Sequence, residues 1–308
     1  MTVGMHSPPS IIPVLLCGGS GSRLYPISTP DNPKHLRPFF ADGKSLLQAT
    51  LNRAFLASTN PICVGSTHQR EVLERQIESC SARLIVEKSP KNTAIASLSA
   101  AIIAEQENPD AVLCLMPCDH VIADSETWKN QIYEALPFAA TGHIVLFGIP
   151  PKPHTEYGYI VRSPFMIGKG PFYPVERFVE KPKHSALAAV LGTGRSFWNS
   201  GIFVLSAKTL VEAMRRHRPR TLERVRTAVQ AENERRWVIN ADPLVSLANE
   251  PIDQAVMEQA GNLVVAQARF DWMDVGSLEQ LASLCERNTQ IHQEIRQYFA
   301  TQPANEIA

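Results

Sequence analysis

Residues 11–34, "IIPVLLCGGSGSRLYPISTPDNPK", decide how the rest of the chain is read. A run of apolar, partly β-branched residues ends in three glycines, Gly18, Gly19 and Gly21. Arg23 follows at once, and Lys34 comes only after a proline-punctuated loop. Strands that are apolar throughout are buried on both faces, as in parallel sheets covered by helices. Ligands of such sheets gather at the carboxyl ends of the strands. Glycines at that point permit positive φ and let backbone N–H groups face an anion. Two phosphate loops can be tested. The dinucleotide fingerprint fails because Leu24 stands where its third glycine belongs, and no helix starts in "SRLYPIS". The Walker pattern fails because Pro38 precedes "GKS" (43–45) where a glycine is required, and Ser45 reads instead as a helix cap. Arg23 could grip phosphate oxygens with its fork, and Lys34 could return to them as a point charge. Taken alone, the stretch fits equally a glycine turn beside a surface Arg and Lys.

The pattern repeats outward from this point. "SLLQATLNRAFLA", "REVLERQIESC", "NTAIASLSAAIIAEQ" and "TWKNQIYEAL" carry helical spacing between the strand-like runs "PICVGS", "RLIVEK", "AVLCLMPCD" and "HIVLFGI". Residues 11–150 therefore predict a doubly wound, mostly parallel α/β sheet of Rossmann-like type. After Pro150 the texture changes to "PPKPHTEYGYIVRSP" and "YPVERFVEKP", strands with proline-rich loops and no helices between them. They predict a smaller antiparallel lobe at about 150–210 covering one edge of the sheet. Helical segments are expected at 185–193 and 207–235, then a strand "LVVAQAR" and a closing helix from Ser277. Residues 1–10 read as a disordered tail, and 291–308 as the end of the last helix and a second tail.

The 308 residues are 44% apolar and carry 30 basic and 30 acidic side chains. A net charge of zero gives no global field for nucleic acid or an anionic membrane, so any phosphate must be held locally. No run reaches the ~18–20 apolar residues of a membrane span, and the N-terminus has no signal-peptide pattern. The six cysteines, Cys17, Cys63, Cys80, Cys114, Cys118 and Cys285, mostly sit in apolar runs. They suit buried thiols in a reducing compartment, which gives the expectation of a cytoplasmic globular protein. Cys114, Cys118 and His120 lack the second ligand pair of a zinc site.

Further stretches join the opening one. In order, "GGSGSRLYPIS…PK", "SPKNTA", "PCDHVI", "EYGYI", "FVEKP", "WNSGIF", "DQAVME" and "DWMDVGS" resemble the motifs of sugar-nucleotide pyrophosphorylases, most closely the mannose-1-phosphate guanylyltransferase branch. The resemblance covers residues 11–285. It implies transfer of GMP from GTP to mannose 1-phosphate, giving GDP-mannose and pyrophosphate. By the same resemblance, Gly18, Gly19, Gly21 and Arg23 hold the triphosphate, and Lys34 neutralises charge near the transferred phosphoryl group. Asp119 and Asp274 are implied ligands of Mg²⁺, a hard ion suited to two carboxylates plus phosphate oxygens. Asp119, with Arg23 and Lys34, is counted catalytic. Either aspartate could instead serve as a helix cap or loop carboxylate.

Gly158 would let a strand approach the hexose, Glu180 would accept from its hydroxyls, and Lys181 would hold its phosphate. Adjacent strand residues face opposite ways, so both Glu180 and Lys181 can serve only if the strand ends or bulges there, which Pro182 permits. Asn199 could read a hydroxyl as donor and acceptor. Asn92 and Thr93 are candidates for base and ribose, with Asn92 equally readable as a helix cap. His35, "LRPFF", Lys91 and Cys118 depart from the family's usual glutamine, "FLPL", arginine and alanine. Too few residues follow Ser277 for the isomerase or β-helix domain of longer relatives, so a single catalytic domain at about 11–290 is expected, in a family-like homodimer. Alternatives are a thymidylyl-, uridylyl- or heptose-specific transferase, or a non-catalytic sugar-nucleotide-binding regulator.

Overall fold

Strand β1 (Ile11–Leu16) is buried at every position because both of its faces are covered. Ile12, Val14 and Leu16 enter one apolar layer, and Ile11, Leu15 and Cys17 enter the other. Pro13, which has no N–H to give, lies before the pairing with the next strand begins at Val14 and Ile62. In a computed structural model of the chain, residues 11–284 other than 20 and 41 are described, with residues 293, 295 and 297. The expected N-terminal tail, Cys285 and nearly all of the expected C-terminal tail lie outside the described residues.

The strands that follow are β2 (Ile62–Ser66), β3 (Arg83–Glu87), β4 (Val112–Pro117), β5 (His120–Val121), β6 (Ile144–Ile149), β7 (Tyr159–Arg162), β8 (Phe172–Val179), β9 (Ser196–Ser206), β10 (Val229–Asn233), β11 (Arg236–Ile239), β12 (Leu263–Gln267) and β13 (Met273–Asp274). Eleven form one sheet in the order β10-β11-β3-β2-β1-β4-β9-β6-β12-β8-β7. Strands β3, β2, β1 and β4 run parallel, as the pattern over 11–150 predicts, and β11, which it does not predict, joins them in parallel beside β3. Helices cover both faces. Those on one side are α1 (Leu46–Ala57), α2 (Arg70–Ile77) and α4 (Ser125–Ala140), and those on the other are α3 (Asn92–Glu107), α6 (Ala207–His217) and α7 (Pro219–Ala228). Helix α3 is buried from Ala94 to Ala104, and its alanines let it lie close to the sheet under α6 and α7. Helix α1 starts on a capping box in which Ser45 Oγ accepts from Gln48 N and Gln48 Oε1 accepts from Ser45 N.

Two expectations change. The antiparallel strands after Pro150 continue the same sheet: β9 runs antiparallel between β4 and β6, and β7 and β8 form its edge beyond β12. Strand β9 is long enough to serve both parts. Its first residues pair with β7 and its last with β4, the change falling beside Gly201, which has φ +72°, while β6 pairs with it from Trp198 to Val204. The helix expected over 207–235 breaks at Pro219, which takes the first turn of α7. Its end is the edge strand β10, exposed along most of its length, where no apolar period marks a strand. Helices α5 (His184–Leu191) and α8 (Leu278–Leu284) stand near their expected places.

Burial at the end of β3 leaves one group in difficulty. Glu87 is 5% exposed, its Oε1 has no hydrogen-bond partner, and burial pushes its carboxyl up to about 8. A carboxyl whose folded pKa lies above its unfolded value destabilises the fold increasingly as pH rises between the two. Wild-type protein should therefore lose unfolding free energy between pH 5 and 8 in urea titrations, and Glu87→Gln should flatten that loss. Phe203, buried on β9 opposite Leu115 and Leu146, should cost ~3–5 kcal/mol on truncation to Ala in the same assay.

Candidate active site

The glycine loop closes over on itself. Gly19 and Gly21 have φ of +92° and +61°, so the turn uses backbone conformations that side chains resist. A Cβ on Gly21 would stand 2.4 Å from Ser28 Oγ, and Ser28 Oγ in turn accepts from Lys34 N at 2.8 Å. Leu24 and Ile27 pin the loop in a small apolar cluster with Phe39, Leu46, Val275 and Leu281. The proline-punctuated segment thus folds back and delivers Lys34 beneath the glycines, while Arg23 stays outside with its side chain 61% exposed.

Lys34 is the centre of the arrangement. Its side chain is 7% exposed, its Nζ donates to Val275 O, and it lies 3.0 Å from Asp119 Oδ2 and 3.9 Å from Asp274 Oδ1. The two aspartates meet because β5 and β13 pair antiparallel, with His120 opposite Asp274. Side chains from elsewhere fix the segment after β4: Thr50 donates to Cys118 O, Arg53 to Ile122 O, and Asp271 accepts from the N–H groups of Ala123 and Asp124. Arg23 Nη2 approaches Asp274 Oδ2 at 4.0 Å.

Burial raises the Asp119 carboxyl, but Lys34 and the two neighbouring histidines outweigh it and hold it at about 2. His120 Nδ1 accepts from Trp272 Nε1 at 3.2 Å, so in the neutral ring the proton sits on Nε2, 4.0 Å from Asp119 Oδ1 and from Asp274 Oδ1. Burial lowers the pKa of His120 and takes His35 to about 4, so both are neutral at pH 7. At neutral pH the site thus holds a fixed cation between carboxylates. Among the described residues no group of three or more His, Cys, Asp or Glu could hold a metal ion by itself. Asp119 and Asp274, converging from two strands on one cation, fit an ion that completes its shell with phosphate oxygens and water.

Beside this point opens a polar cleft of about 360 Å³ lined by Arg23, His120, Tyr157, Gly158, Glu180, Lys181, Asn199, Asp253, Trp272 and Asp274 among others. Larger clefts of about 750 and 730 Å³ lie by α2 and α6, away from these side chains. Gly158 makes room for Glu180: a Cβ there would meet Glu180 Oε2 at 2.6 Å and push that side chain aside. The condition set for Glu180 and Lys181 is met, because β8 ends at Val179 and Lys181 takes φ +44°. Both residues line the cleft, with Lys181 Nζ 3.2 Å from Glu180 Oε1. Asn199 is more constrained than a free hydroxyl reader. Its Oδ1 accepts from Gly201 N at 3.1 Å and its Nδ2 donates to Asp253 Oδ1 at 2.8 Å. Tyr157 stacks between Trp198 (centroids 4.6 Å apart) and Trp272 (6.0 Å).

Asn92 and Thr93 stand apart from this cleft. Asn92, at φ +68°, accepts from Thr93 N through its Oδ1, and Thr93 Oγ1 accepts from Ile252 N at 2.9 Å. These contacts tie the start of α3 to the segment before Asp253. Sequence reasoning missed Asp253, Tyr157 and Trp272, and saw His120 only as a failed zinc ligand. The first three lie inside quoted stretches, but nothing local shows that those stretches converge.

A sequence profile of the nucleotidyl transferase family matches residues 12–294. A mannose-1-phosphate guanylyltransferase of Escherichia coli is 34% identical over 279 residues, covering 88% of this chain and 59% of that protein. The chain thus spans about three fifths of the length of the curated relatives it matches. Among solved structures, a Thermus thermophilus protein named mannose-1-phosphate geranyltransferase superposes with a TM-score of 0.76 at 31% identity, over 89% of this chain and 79% of its own. A Helicobacter pylori protein named mannose-6-phosphate isomerase gives a TM-score of 0.72 at 26% identity, over 86% and 100%. With the profile running from the first strand past the last described helix, and the glycine loop, Lys34 and paired aspartates assembled within it, the chain belongs to the nucleotidyl transferase family.

Proposed function

We propose that the chain transfers GMP from GTP to mannose 1-phosphate, giving GDP-mannose and pyrophosphate. The observation that carries this reading is the buried Lys34 held between Asp119 and Asp274, the latter lining a cleft rich in polar groups. The names of the E. coli and related proteins supply the sugar and, for the guanylyltransferases, the base.

A phosphate oxygen of mannose 1-phosphate attacks the α-phosphorus of GTP in line. The new O–P bond forms as the bond to the bridging oxygen of pyrophosphate breaks, and the electron pair leaves with pyrophosphate. The nucleophile is already an anion at neutral pH, so no general base is needed. What the site must supply is alignment and fixed charge. The N–H groups around Gly18, Gly19 and Gly21 and the fork of Arg23 would hold the triphosphate. Lys34, immobilised by Val275 O and two carboxylates, would face the charge that builds on the transferred group. Mg²⁺ held by Asp119 and Asp274 would neutralise phosphate charge when bound. Lys181 would hold the sugar phosphate, with Glu180 beside the hexose. Asn92 and Thr93 would serve the base and ribose by the resemblance alone; the turn that Thr93 holds at Ile252 leads to Asp253 in the cleft.

Pyrophosphate release should be strongest for GTP with mannose 1-phosphate in a matrix of GTP, dTTP, UTP, CTP and ATP against mannose, glucose and heptose 1-phosphates. A different best pair would move the specificity, and silence with nucleotide binding intact would favour a non-catalytic role. Lys34→Ala should lower kcat by ~10²–10³, as loss of other fixed charges at reacting centres does. Asp119→Asn and Asp274→Asn should each raise the Mg²⁺ concentration needed for half-maximal rate. Normal turnover at ordinary Mg²⁺ in either variant would remove the metal assignment.

A further inference from the structure

Asp253 stands outside the phosphate chemistry and yet lines the cleft. It begins a five-residue π-helical turn, Asp253–Met257, whose Ala255, Val256 and Met257 are buried in the core. Such wide turns re-aim side chains out of the regular ladder and recur at functional sites. The turn is fixed at its start, where Ile252 N donates to Thr93 Oγ1, and at its end, where Glu258 Oε1 accepts from Glu180 N at 3.0 Å. One short segment therefore sets the positions of two carboxyl groups, Asp253 by carrying it and Glu180 by gripping its backbone. Asn199 is the third party: its own N–H donates to Gly158 O, and its Nδ2 donates to Asp253 Oδ1. Gly158, with no side chain of its own, leaves room there for Glu180 Oε2, which a Cβ would meet at 2.6 Å.

We propose that Asp253 is a specificity-determining residue for the sugar, reading neighbouring hydroxyls of the hexose of the sugar 1-phosphate together with Glu180. The assignment rests on the transfer reading given above. An ionised carboxylate offers about four acceptor sites, and among the described residues one side chain, Asn199, donates to Asp253. Adjacent hydroxyls of a hexose present paired donors to such a group, and bonds to it are charge-assisted.

Burial first, and then the charge of Glu180, push the Asp253 carboxyl up to about 7, against the opposing pull of Lys181 and Asn199. Near neutrality Asp253 can thus donate as well as accept, with the Glu180 oxygens as further acceptors in the same cleft. A hydroxyl, which is both, is the group that such a pair suits best. The cleft is also polarised, since Arg23 and Lys181 line it along with the acids. An anionic phosphate is repelled from Asp253 and Glu180, so the ring and not the phosphate lies against them.

Asp253→Asn separates this role from a purely structural one, because Asn keeps the volume and an acceptor for Asn199. Steady-state kinetics of the wild type and this variant would be measured with GTP, mannose 1-phosphate, and analogues of it lacking one ring hydroxyl in turn, with thermal unfolding in parallel. KM for mannose 1-phosphate should rise ~10–100-fold, the scale of one or two charge-assisted bonds. Meanwhile kcat, the KM for GTP and the melting temperature should hold. The penalty that the wild type shows for losing a particular hydroxyl should largely vanish in the variant. Unchanged sugar KM and unchanged hydroxyl penalties would overturn the assignment. So would a joint fall in kcat and melting temperature with both KM values raised, which would mark a scaffold. A wild-type chain that neither turns over mannose 1-phosphate nor binds it by calorimetry would remove the transfer reading itself, and the role of Asp253 with it.

Discussion

The pairing of two residues with two residues, His120–Val121 with Met273–Asp274, is the contact on which the site depends. It joins positions more than 150 apart in sequence and puts Asp274 within reach of the same ammonium as Asp119. Without it Lys34 would face one carboxylate, and Val275 O would not be placed to accept its hydrogen bond. So short a ribbon is weak alone. Its strength is borrowed from Asp271, which accepts from the backbone after β5, from Trp272 on His120, and from Val275, which is fully buried in the cluster that also anchors the glycine loop. The loop, the cation and both carboxylates are in this sense one packed unit.

The Glu180 and Asn199 end of the cleft is organised differently, by continuity of the sheet. Strand β9 changes partners along its length, and the change falls where Asn199 and Gly201 sit. The Lys34 end is thus tied to the parallel half and the Glu180 end to the antiparallel half, with a single strand spanning both. No separate hinge is needed to bring the two ends of the cleft together.

Much of the parallel half is legible in the sequence because burial on both faces writes itself as unbroken apolar strands, and β1 to β4 and β6 are of that kind. The return of Lys34 is legible from prolines that constrain the loop, and the presence of Glu180 and Lys181 in one cleft from the proline that ends the strand. What cannot be read is pairing at long range. Asp253 sits on a π-turn that has no period of its own. Asn199 reads as free because its partners, Gly201 N and Asp253, come from a bend and from a distant turn. Strand β10 reads as helix because an exposed edge has no need of apolar alternation. The contact by which the Thr93 hydroxyl accepts from Ile252 N is likewise not written in any local pattern.

The ring contacts along the cleft carry a consequence of their own. Trp272 meets the His120 ring edge-on at 5.2 Å and Tyr157 at 6.0 Å, and it lines the cleft with both. An indole so placed is an optical probe already built into the wall. A change in the charge on the imidazole, or a sugar ring displacing water from beside the phenol, alters the quenching of its emission. Occupancy of either end of the cleft can therefore be followed by intrinsic fluorescence, with Trp272→Phe as the blank and no label attached.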